Sequence, residues 1–405
     1  MALPAPPFQI HGLARGGAFT DRAAEVGTIV RALRTPGHKL LLLGRRRMGK
    51  SSALAAAADR AARHRTLVVA VDCMVATSLT ELATLIVDAS VRTLGRRWKD
   101  ILQTFVSRLT PGVTMTSNPK TGDVSVRWEV SLGDAREEQK RLEQALDALE
   151  TIAAERGASV GVVLDEFQQI GRIAGETGEW LLRGVLQRHV HVSYVLAGSE
   201  LSLIERMTGR GGAFYDMLTP LPFGAIDADH LGRWIEERMR GAGLDPARGV
   251  GAECVRLAGP RTFDIMLLAD HAVAAARSDG GGKVAVETVA RAFAAVVDEQ
   301  AFAWEARWSE LASQQQSVLR ALAAANSGLT TGATLARFGL GSSSATTRAV
   351  QALADRELVL RDPTAPPGYA FDNPYFRGWV VARALPALGI HLPVTALPSS
   401  PESAS

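Results

Sequence analysis

The fold is decided by the stretch Leu40-Leu41-Leu42-Leu43-Gly44-Arg45-Arg46-Arg47-Met48-Gly49-Lys50-Ser51-Ser52. Its four leucines predict a buried parallel strand, and the alanine-rich residues from Ser52 to Ala62 predict a helix. Between strand and helix lies G-x-x-x-x-G-K-S, the pattern of a phosphate-binding loop. A strand before the pattern and a helix after it are the context that it requires, so a nucleotide site is predicted here.

The residue types of this loop suit the chemistry of phosphate binding. Gly44 and Gly49 let the backbone curl, so that successive N–H groups can point inward at phosphate oxygens. Lys50 supplies a positive charge near the β- and γ-phosphates, and the Ser51 hydroxyl can ligate Mg²⁺. The N-terminus of the following helix adds partial positive charge. We therefore predict that the whole loop holds the nucleotide: Gly44, Arg45, Arg46, Arg47, Met48, Gly49, Lys50, Ser51 and Ser52.

A pair of carboxylates forms the second strong signal. The apolar run that begins at Ser159 predicts a buried strand, and Asp165 and Glu166 stand at its C-terminal end. Open α/β sheets place their ligands at that edge. Asp165 can hold the Mg²⁺ shell, and Glu166 can orient and deprotonate the water that attacks the γ-phosphate. An apolar run that ends in Asp-Glu can also simply cap the next helix, but a phosphate-binding loop earlier in the chain favours catalysis.

Five further side chains are weaker candidates. Ser199 follows another predicted strand and can hydrogen-bond the γ-phosphate or the attacking water. Arg22 opens the helix before the loop and can wall one side of the nucleotide, although that helix also fits a plain surface helix. Pro260 stands in a tight turn that can touch the adenine or the sugar, or that simply punctuates two helices. Arg206 or Arg210 can act as an arginine finger toward a neighbouring subunit, or can be an ordinary solvated arginine.

Length and composition narrow the class of protein. A chain of 405 residues predicts two or three domains. The net charge of +3 and the pI near 9.0 permit a nucleic-acid or membrane-surface partner without requiring one. The two cysteines form no metal-spaced pair, which favours free thiols in a reducing compartment. No signal peptide is recognised, and no apolar run reaches the roughly 20 residues that span a bilayer. We therefore expect a cytoplasmic protein with no membrane partner.

The rest of the chain divides by pattern. Residues Val113–Val130 alternate apolar and polar side chains and predict a β-hairpin between helices. Near the C-terminus, three helices and a two-stranded wing predict a winged helix-turn-helix, whose third helix carries a Ser/Thr-rich first turn and Arg348. Its small charge excess leaves a protein partner as a rival to double-stranded DNA. The predicted division is a flexible N-terminus (1–18), an ATPase core (19–225), a helical lid (226–305), the winged helix-turn-helix (306–385) and a disordered tail (386–405).

Five places in the sequence resemble the archaeal-type ATPase family of P-loop proteins, which is related to the AAA+ origin-recognition ATPases and the STAND regulators. They cover about residues 19–380, and the paired arginines of the phosphate loop are the most specific. The other four are an F-x-D-R-x-x-E element before the loop, the L-D-E-F-Q motif, a G-S strand tip and a D-N-P-Y-F-R-G-W signature after the wing. In order along the chain, the motifs begin at Phe19, Gly44, Leu164, Gly198 and Asp372.

This resemblance implies an α/β fold. Its core would be an additional-strand P-loop NTPase with a parallel sheet, followed by a helical lid and a C-terminal winged helix. The implied function is an ATP-driven switch that hydrolyses ATP slowly, with ATP and Mg²⁺ bound between core and lid. The winged helix would engage DNA or a partner protein, and the chain could assemble as a nucleotide-dependent homo-oligomer. The alternative from another class is a non-enzymatic DNA-binding regulator or adaptor whose nucleotide is structural.

Overall fold

The computed structural model describes residues 7–97, 109, 113–117, 124–128, 134–324, 328–362 and 368–396. The sequence also predicts a helix from Trp98 to Leu109. This helix, except for Leu109, and the turn of the predicted hairpin, 118–123, lie outside the described residues. Contacts divide the chain into two compact units. The first is Gly12–Ala225, and the second combines Met1–His11 with Ile226–Ser405.

The first unit contains a parallel five-stranded sheet, a separate hairpin and six described α-helices. The strands are β1 (Lys39–Leu43), β2 (Leu67–Asp72), β3 (Val113–Ser117), β4 (Val124–Trp128), β5 (Val160–Asp165), β6 (Ser193–Gly198) and β7 (Thr219–Pro222). The helices are α1 (Ala23–Arg34), α2 (Lys50–Arg63), α3 (Leu79–Arg97), α4 (Ala135–Arg156), α5 (Gln169–Arg188) and α6 (Leu201–Thr208).

The order of the sheet is β2-β5-β6-β1-β7, and every neighbouring pair is parallel. Strand β6 therefore lies between β1, which leads into the phosphate loop, and β5, which ends in the two carboxylates. This inserted strand confirms the predicted additional-strand P-loop core. The antiparallel pairing of β3 with β4 likewise confirms the predicted hairpin.

Alternation along β1 explains why its leucine run is buried on both faces of the sheet. Leu40 and Leu42 belong to a core that also contains apolar residues of α1 and α2. Leu41 belongs to a second core with residues of α3, α4 and α5. Successive side chains of a strand point to opposite faces, so a sheet that is covered on both sides needs a continuous apolar strand.

Helix α5 differs from the sequence prediction. The pattern predicts a helix only from Glu179, whereas the structure begins it at Gln169. Gly175 interrupts the helix with φ 60° and ψ −156°. A positive φ is inexpensive for glycine alone. The break hides the first two turns from a search for uninterrupted helical periodicity.

The second unit contains nine described α-helices and two small two-stranded sheets. The chain order is α7 (Ala228–Gly241), β8 (Asp245–Pro246), α8 (Val250–Ala258), α9 (Thr262–Ser278), β9 (Lys283–Val284), α10 (Val286–Glu299), α11 (Ala301–Ser309), α12 (Ser313–Ala324), α13 (Gly332–Phe338), α14 (Ser343–Asp355), β10 (Val359–Arg361), β11 (Tyr369–Phe371) and α15 (Pro374–Trp379). The last three helices before the antiparallel β10–β11 wing are those predicted for the winged helix. None of the helices described is long and apolar enough to cross a membrane.

One apolar core joins the helices of 226–305 to the winged helix. Phe376 is fully buried in it, with its ring centroid 5.1 Å from that of Trp304 and 5.9 Å from that of Phe371. The Tyr375 ring lies 5.2 Å from that of Phe293 in α10. The boundary at 305/306 remains a prediction, but the two predicted domains share this core.

The D-N-P-Y-F-R-G-W signature provides polar contacts within the same unit. Asn373 caps α15 by accepting hydrogen bonds from the backbone N–H groups of Tyr375 (2.8 Å) and Phe376 (3.1 Å). Asp372 pairs with Arg261 at 2.5 Å. The Arg377 guanidinium donates to the Ala323 carbonyl of α12 at 3.1 Å. These contacts give the motif a structural role.

Residues at both ends of the described chain pack on the second unit. Phe8 is buried, with its ring 6.1 Å from that of Trp234, and the Pro7 carbonyl accepts two hydrogen bonds from Arg238. Val394 packs against the core that contains Phe376. The predicted flexible N-terminus and disordered tail therefore each include residues with tertiary contacts.

Candidate active site

The phosphate loop connects β1 to α2, and its two glycines are needed for different reasons. A Cβ on Gly44 would lie 2.5 Å from the Phe223 carbonyl oxygen, so the backbone that follows β7 leaves no space for a side chain. Gly49 adopts φ 91° immediately before α2, with no atom within 4 Å of a Cβ placed there. Steric space therefore selects the first glycine, and backbone conformation selects the second.

Lys50 is the first residue of α2 and is 5% exposed. Its ammonium donates to the carbonyls of Gly44 (2.7 Å) and Arg45 (2.8 Å) and thus lies within the curve of the loop. Burial lowers the pKa of Lys50, whereas the charges of Glu166 and Asp165 act to raise it. Buried positive charge next to the loop is what a polyphosphate requires.

Ser51 and Asp165 are brought together from different elements. The Ser51 hydroxyl donates to Asp165 Oδ2 at 2.6 Å, although the two residues are 114 positions apart in sequence. Burial raises the pKa of Asp165, and the hydrogen bond from Ser51 opposes that shift. A nearby cation would therefore stabilise the ionised carboxylate.

Glu166 follows Asp165 at the C-terminal end of β5 and has a positive φ of 51°. Its Oε2 accepts hydrogen bonds from Gln168 Nε2 (2.5 Å) and from the Ser199 hydroxyl (2.6 Å). Ser199 follows β6, the strand next to β5. The predicted catalytic glutamate and the predicted strand-tip serine are therefore in direct contact.

Two charged residues at the site, Glu200 and Arg172, were not among the candidates from the sequence. Glu200 is 9% exposed, and its two carboxylate oxygens each accept from an arginine at 2.6 Å: Oε1 from Arg46 and Oε2 from Arg172. The Arg46 Nε also donates to Ser199 at 3.3 Å. Glu200 adjoins the G-S motif, but no local pattern in the sequence indicates that it pairs with the loop.

The remaining loop residues have structural contacts. Met48 is buried, and Arg47 is exposed with φ 66°. The Ser52 hydroxyl accepts from the Ala14 N–H at 3.0 Å. Arg22 is 4% exposed and donates to the carbonyls of Met48 (3.4 Å) and Gly224 (2.7 Å), while it pairs with Glu25. Arg22 thus braces the loop backbone, and its contact with a nucleotide remains a prediction.

The last three candidates lie away from this cluster or in the other unit. Arg206 pairs with the buried Glu179, and Arg210 is exposed. Pro260 belongs to the second unit, in the turn between α8 and α9. Their predicted roles toward a neighbouring subunit and toward the base remain predictions.

The donor set fits a magnesium ion that is shared with phosphate. Mg²⁺ is usually bound through one or two carboxylates together with substrate phosphates, rather than in a cage of protein ligands. A hydroxyl and a carboxylate, Ser51 and Asp165, provide hard oxygen donors next to the phosphate loop. Among the described residues, no group of three or more His, Cys, Asp or Glu side chains could hold a metal.

Fold and site together define a class of protein. An additional-strand sheet, a loop that ends in Gly-Lys-Ser and an Asp-Glu pair at the adjoining sheet edge are the parts of a P-loop ATPase. The C-terminal elements add a winged helix. A family described as "Probable winged helix domain" matches residues 302–382.

Solved structures of archaeal ATPases share this fold. The Walker-type ATPase of Pyrococcus abyssi is 17% identical, with a TM-score of 0.60 over 92% of this chain and 99% of that one. The ORC2 protein of Aeropyrum pernix, in ADPNP–ADP complexes, is 14% identical, with a TM-score of 0.59 over 96% of this chain and 99% of that one. No curated protein matches the sequence. The chain thus has the fold of the archaeal-type AAA+ ATPases with a C-terminal winged helix.

Proposed function

We propose that the protein binds ATP with Mg²⁺ and hydrolyses it slowly, as a switch for a winged helix that engages double-stranded DNA. The observation that carries the ATPase proposal is the 2.6 Å contact between Ser51 and Asp165, with Glu166 next in the chain. A structural nucleotide would need the loop alone. A carboxylate placed to activate water favours turnover.

The proposed mechanism assigns one task to each side chain. On nucleotide binding, the Lys50 ammonium exchanges its hydrogen bonds to the loop carbonyls for hydrogen bonds to β- and γ-phosphate oxygens. Ser51 and Asp165 would hold Mg²⁺. When bound, Mg²⁺ neutralises charge that develops on the phosphate oxygens. Glu166 takes a proton from the attacking water, and Ser199 hydrogen-bonds the water or the γ-phosphate. The ADPNP–ADP complexes of the A. pernix ORC2 protein support adenine nucleotides as ligands of this fold.

Lys50→Ala is expected to weaken ATP binding about 30- to 150-fold, because it removes charged hydrogen bonds worth about 2–3 kcal/mol. Titration calorimetry and phosphate release would measure binding and turnover. Lys140→Ala, at an exposed lysine of α4, is the matched control. Equal ATP affinity in wild type and Lys50→Ala would contradict the site. ATP binding by the wild type without phosphate release would instead support the structural-nucleotide alternative.

The DNA proposal rests on the exposed face of α14. Its buried side includes Val350 and Leu353, whereas Ser343, Thr347 and Arg348 are exposed. Hydroxyls near a helix N-terminus, followed by an arginine, suit contacts to phosphates and base edges. The match of residues 302–382 to a winged helix family supports the same interpretation.

Arg348→Ala is expected to weaken binding of the full-length protein to duplex DNA and to reduce the slope of log affinity against log salt by about 1. Fluorescence anisotropy at several salt concentrations would measure both quantities. Arg291→Ala, an exposed arginine of α10, is the control. If the wild type shows no salt-dependent affinity for duplex DNA, the DNA proposal is wrong and a partner protein becomes the favoured alternative.

A further inference from the structure

The side chain of Arg46 touches the catalytic cluster from the phosphate loop itself. Arg46 is the second of the four residues between the two loop glycines. Its Nε donates to the Ser199 hydroxyl at 3.3 Å, and that hydroxyl donates to Glu166 Oε2 at 2.6 Å. The guanidinium therefore lies two hydrogen bonds from the carboxylate assigned to water activation.

Glu200 holds this guanidinium in place. Its buried carboxylate receives Arg46 at one oxygen and Arg172 at the other, both at 2.6 Å. The side chains of the two arginines are 45% and 46% exposed, whereas that of Glu200 is 11% exposed. A buried carboxylate thus holds the partly exposed Arg46 guanidinium next to the phosphate loop and the Ser199 hydroxyl.

We infer that Arg46 is a catalytic arginine that acts within its own chain on the γ-phosphoryl group of ATP. The inference rests on the proposed ATPase function. In the reaction, the water oxygen forms a bond to the γ-phosphorus, and its proton passes to Glu166. The bond between the γ-phosphorus and the bridging oxygen breaks, and its electron pair leaves on ADP. Arg46 donates to the γ-phosphoryl oxygens, over which negative charge is spread in the transition state.

This geometry differs from that of an arginine supplied by a neighbouring subunit. Arg46, Ser199, Glu200 and Glu166 all belong to one chain, and the loop that surrounds the phosphates carries the arginine. A guanidinium stays charged throughout the working pH range and donates in a fixed planar fork, so it is prepared before the reaction begins. Glu200 acts as a positioning residue.

Arg46→Ala is expected to lower kcat for ATP about 100-fold or more, while the affinity for ADP changes less than about threefold. Phosphate release and ADP titration on the full-length protein would measure the two quantities. Arg46→Lys keeps the positive charge but lacks the planar fork of N–H donors, so it should retain only part of the wild-type kcat. Added guanidine should raise the activity of Arg46→Ala. Glu200→Gln should lower kcat more than it raises KM. Arg63→Ala, at the far end of α2, is the matched control.

The outcomes separate this inference from the proposed function. If the wild type hydrolyses ATP and Arg46→Ala keeps kcat within threefold, the inference is wrong and the ATPase proposal stands. If the wild type releases no phosphate, the ATPase proposal itself fails. Mixing Arg46→Ala with Glu166→Gln distinguishes action within a chain from action between chains. Recovered activity in the mixture would overturn action within the chain, because Arg46 of the Glu166→Gln protein would then complete the site of the Arg46→Ala protein.

Discussion

Glu166→Gln is expected to reduce ATP turnover about a thousandfold and to leave ATP binding intact. General-base catalysis typically contributes about 10²–10⁴ in rate, and glutamine cannot accept the proton. The amide has nearly the shape of the carboxylate and can keep a hydrogen bond to Ser199 or Gln168. The charge of Glu166 also acts to raise the pKa of Asp165. Its removal should therefore favour the ionised form of Asp165, the form that would hold Mg²⁺ in the proposed mechanism.

Single-turnover hydrolysis and a nucleotide-binding titration would measure the two quantities for this variant. Glu137→Gln makes the same change at an exposed position of α4 and should behave as the wild type. A Glu166→Gln protein that turns over ATP within tenfold of the wild-type rate would show that another group activates the water. Loss of binding as well as turnover would show that Glu166 mainly shapes the pocket.

Phe376→Ala is expected to lower the free energy of unfolding of the second unit by about 3–5 kcal/mol, because it leaves a cavity in a close-packed core. The ring is fully buried, and its centroid lies within 6.1 Å of those of Trp304, Phe371 and Trp379. Its loss removes contacts on both sides of the predicted 305/306 boundary. Denaturant unfolding followed by tryptophan fluorescence would measure the effect.

The chain offers a close control for this cavity. Phe302 is 87% exposed, and Phe302→Ala should change the free energy of unfolding by no more than about 0.5 kcal/mol. If Phe376→Ala lowers the free energy of unfolding by less than about 1 kcal/mol, the surrounding side chains fill the cavity and the predicted cost is wrong. Two separate unfolding transitions in the wild-type second unit would mean that the shared core does not make the predicted lid and winged helix cooperative.

Local sequence patterns were sufficient where the fold depends on local chemistry. The leucine run, the two glycines and Lys50 predict the strand, loop and helix, because each residue type meets a steric or electrostatic need of its own position. The carboxylates after β5 are predicted for the same reason. The order of the sheet came from the family resemblance rather than from any pattern in the strands.

Contacts between distant segments were not predictable from the sequence. Glu200 pairs with Arg46 and Arg172, which are 154 and 28 positions away, and nothing in its neighbourhood indicates either partner. The hydrogen bond from Arg22 to the Met48 carbonyl, 26 positions along the chain, is likewise not indicated by any local pattern. Gly175 interrupts the helical periodicity of the sequence, although α5 has buried residues on both sides of this glycine. In each case the deciding partner comes from another part of the fold.

The pairing of Asp372 with Arg261 has a mechanical consequence. Arg261 follows the turn that contains Pro260, and Asp372 lies two residues before the helix that closes the winged domain. Together with the common core, this ion pair connects the described helices of 226–305 to the described winged helix, so we expect the two to move together. If nucleotide binding turns those helices, as the proposed switch requires, α14 is expected to turn with them.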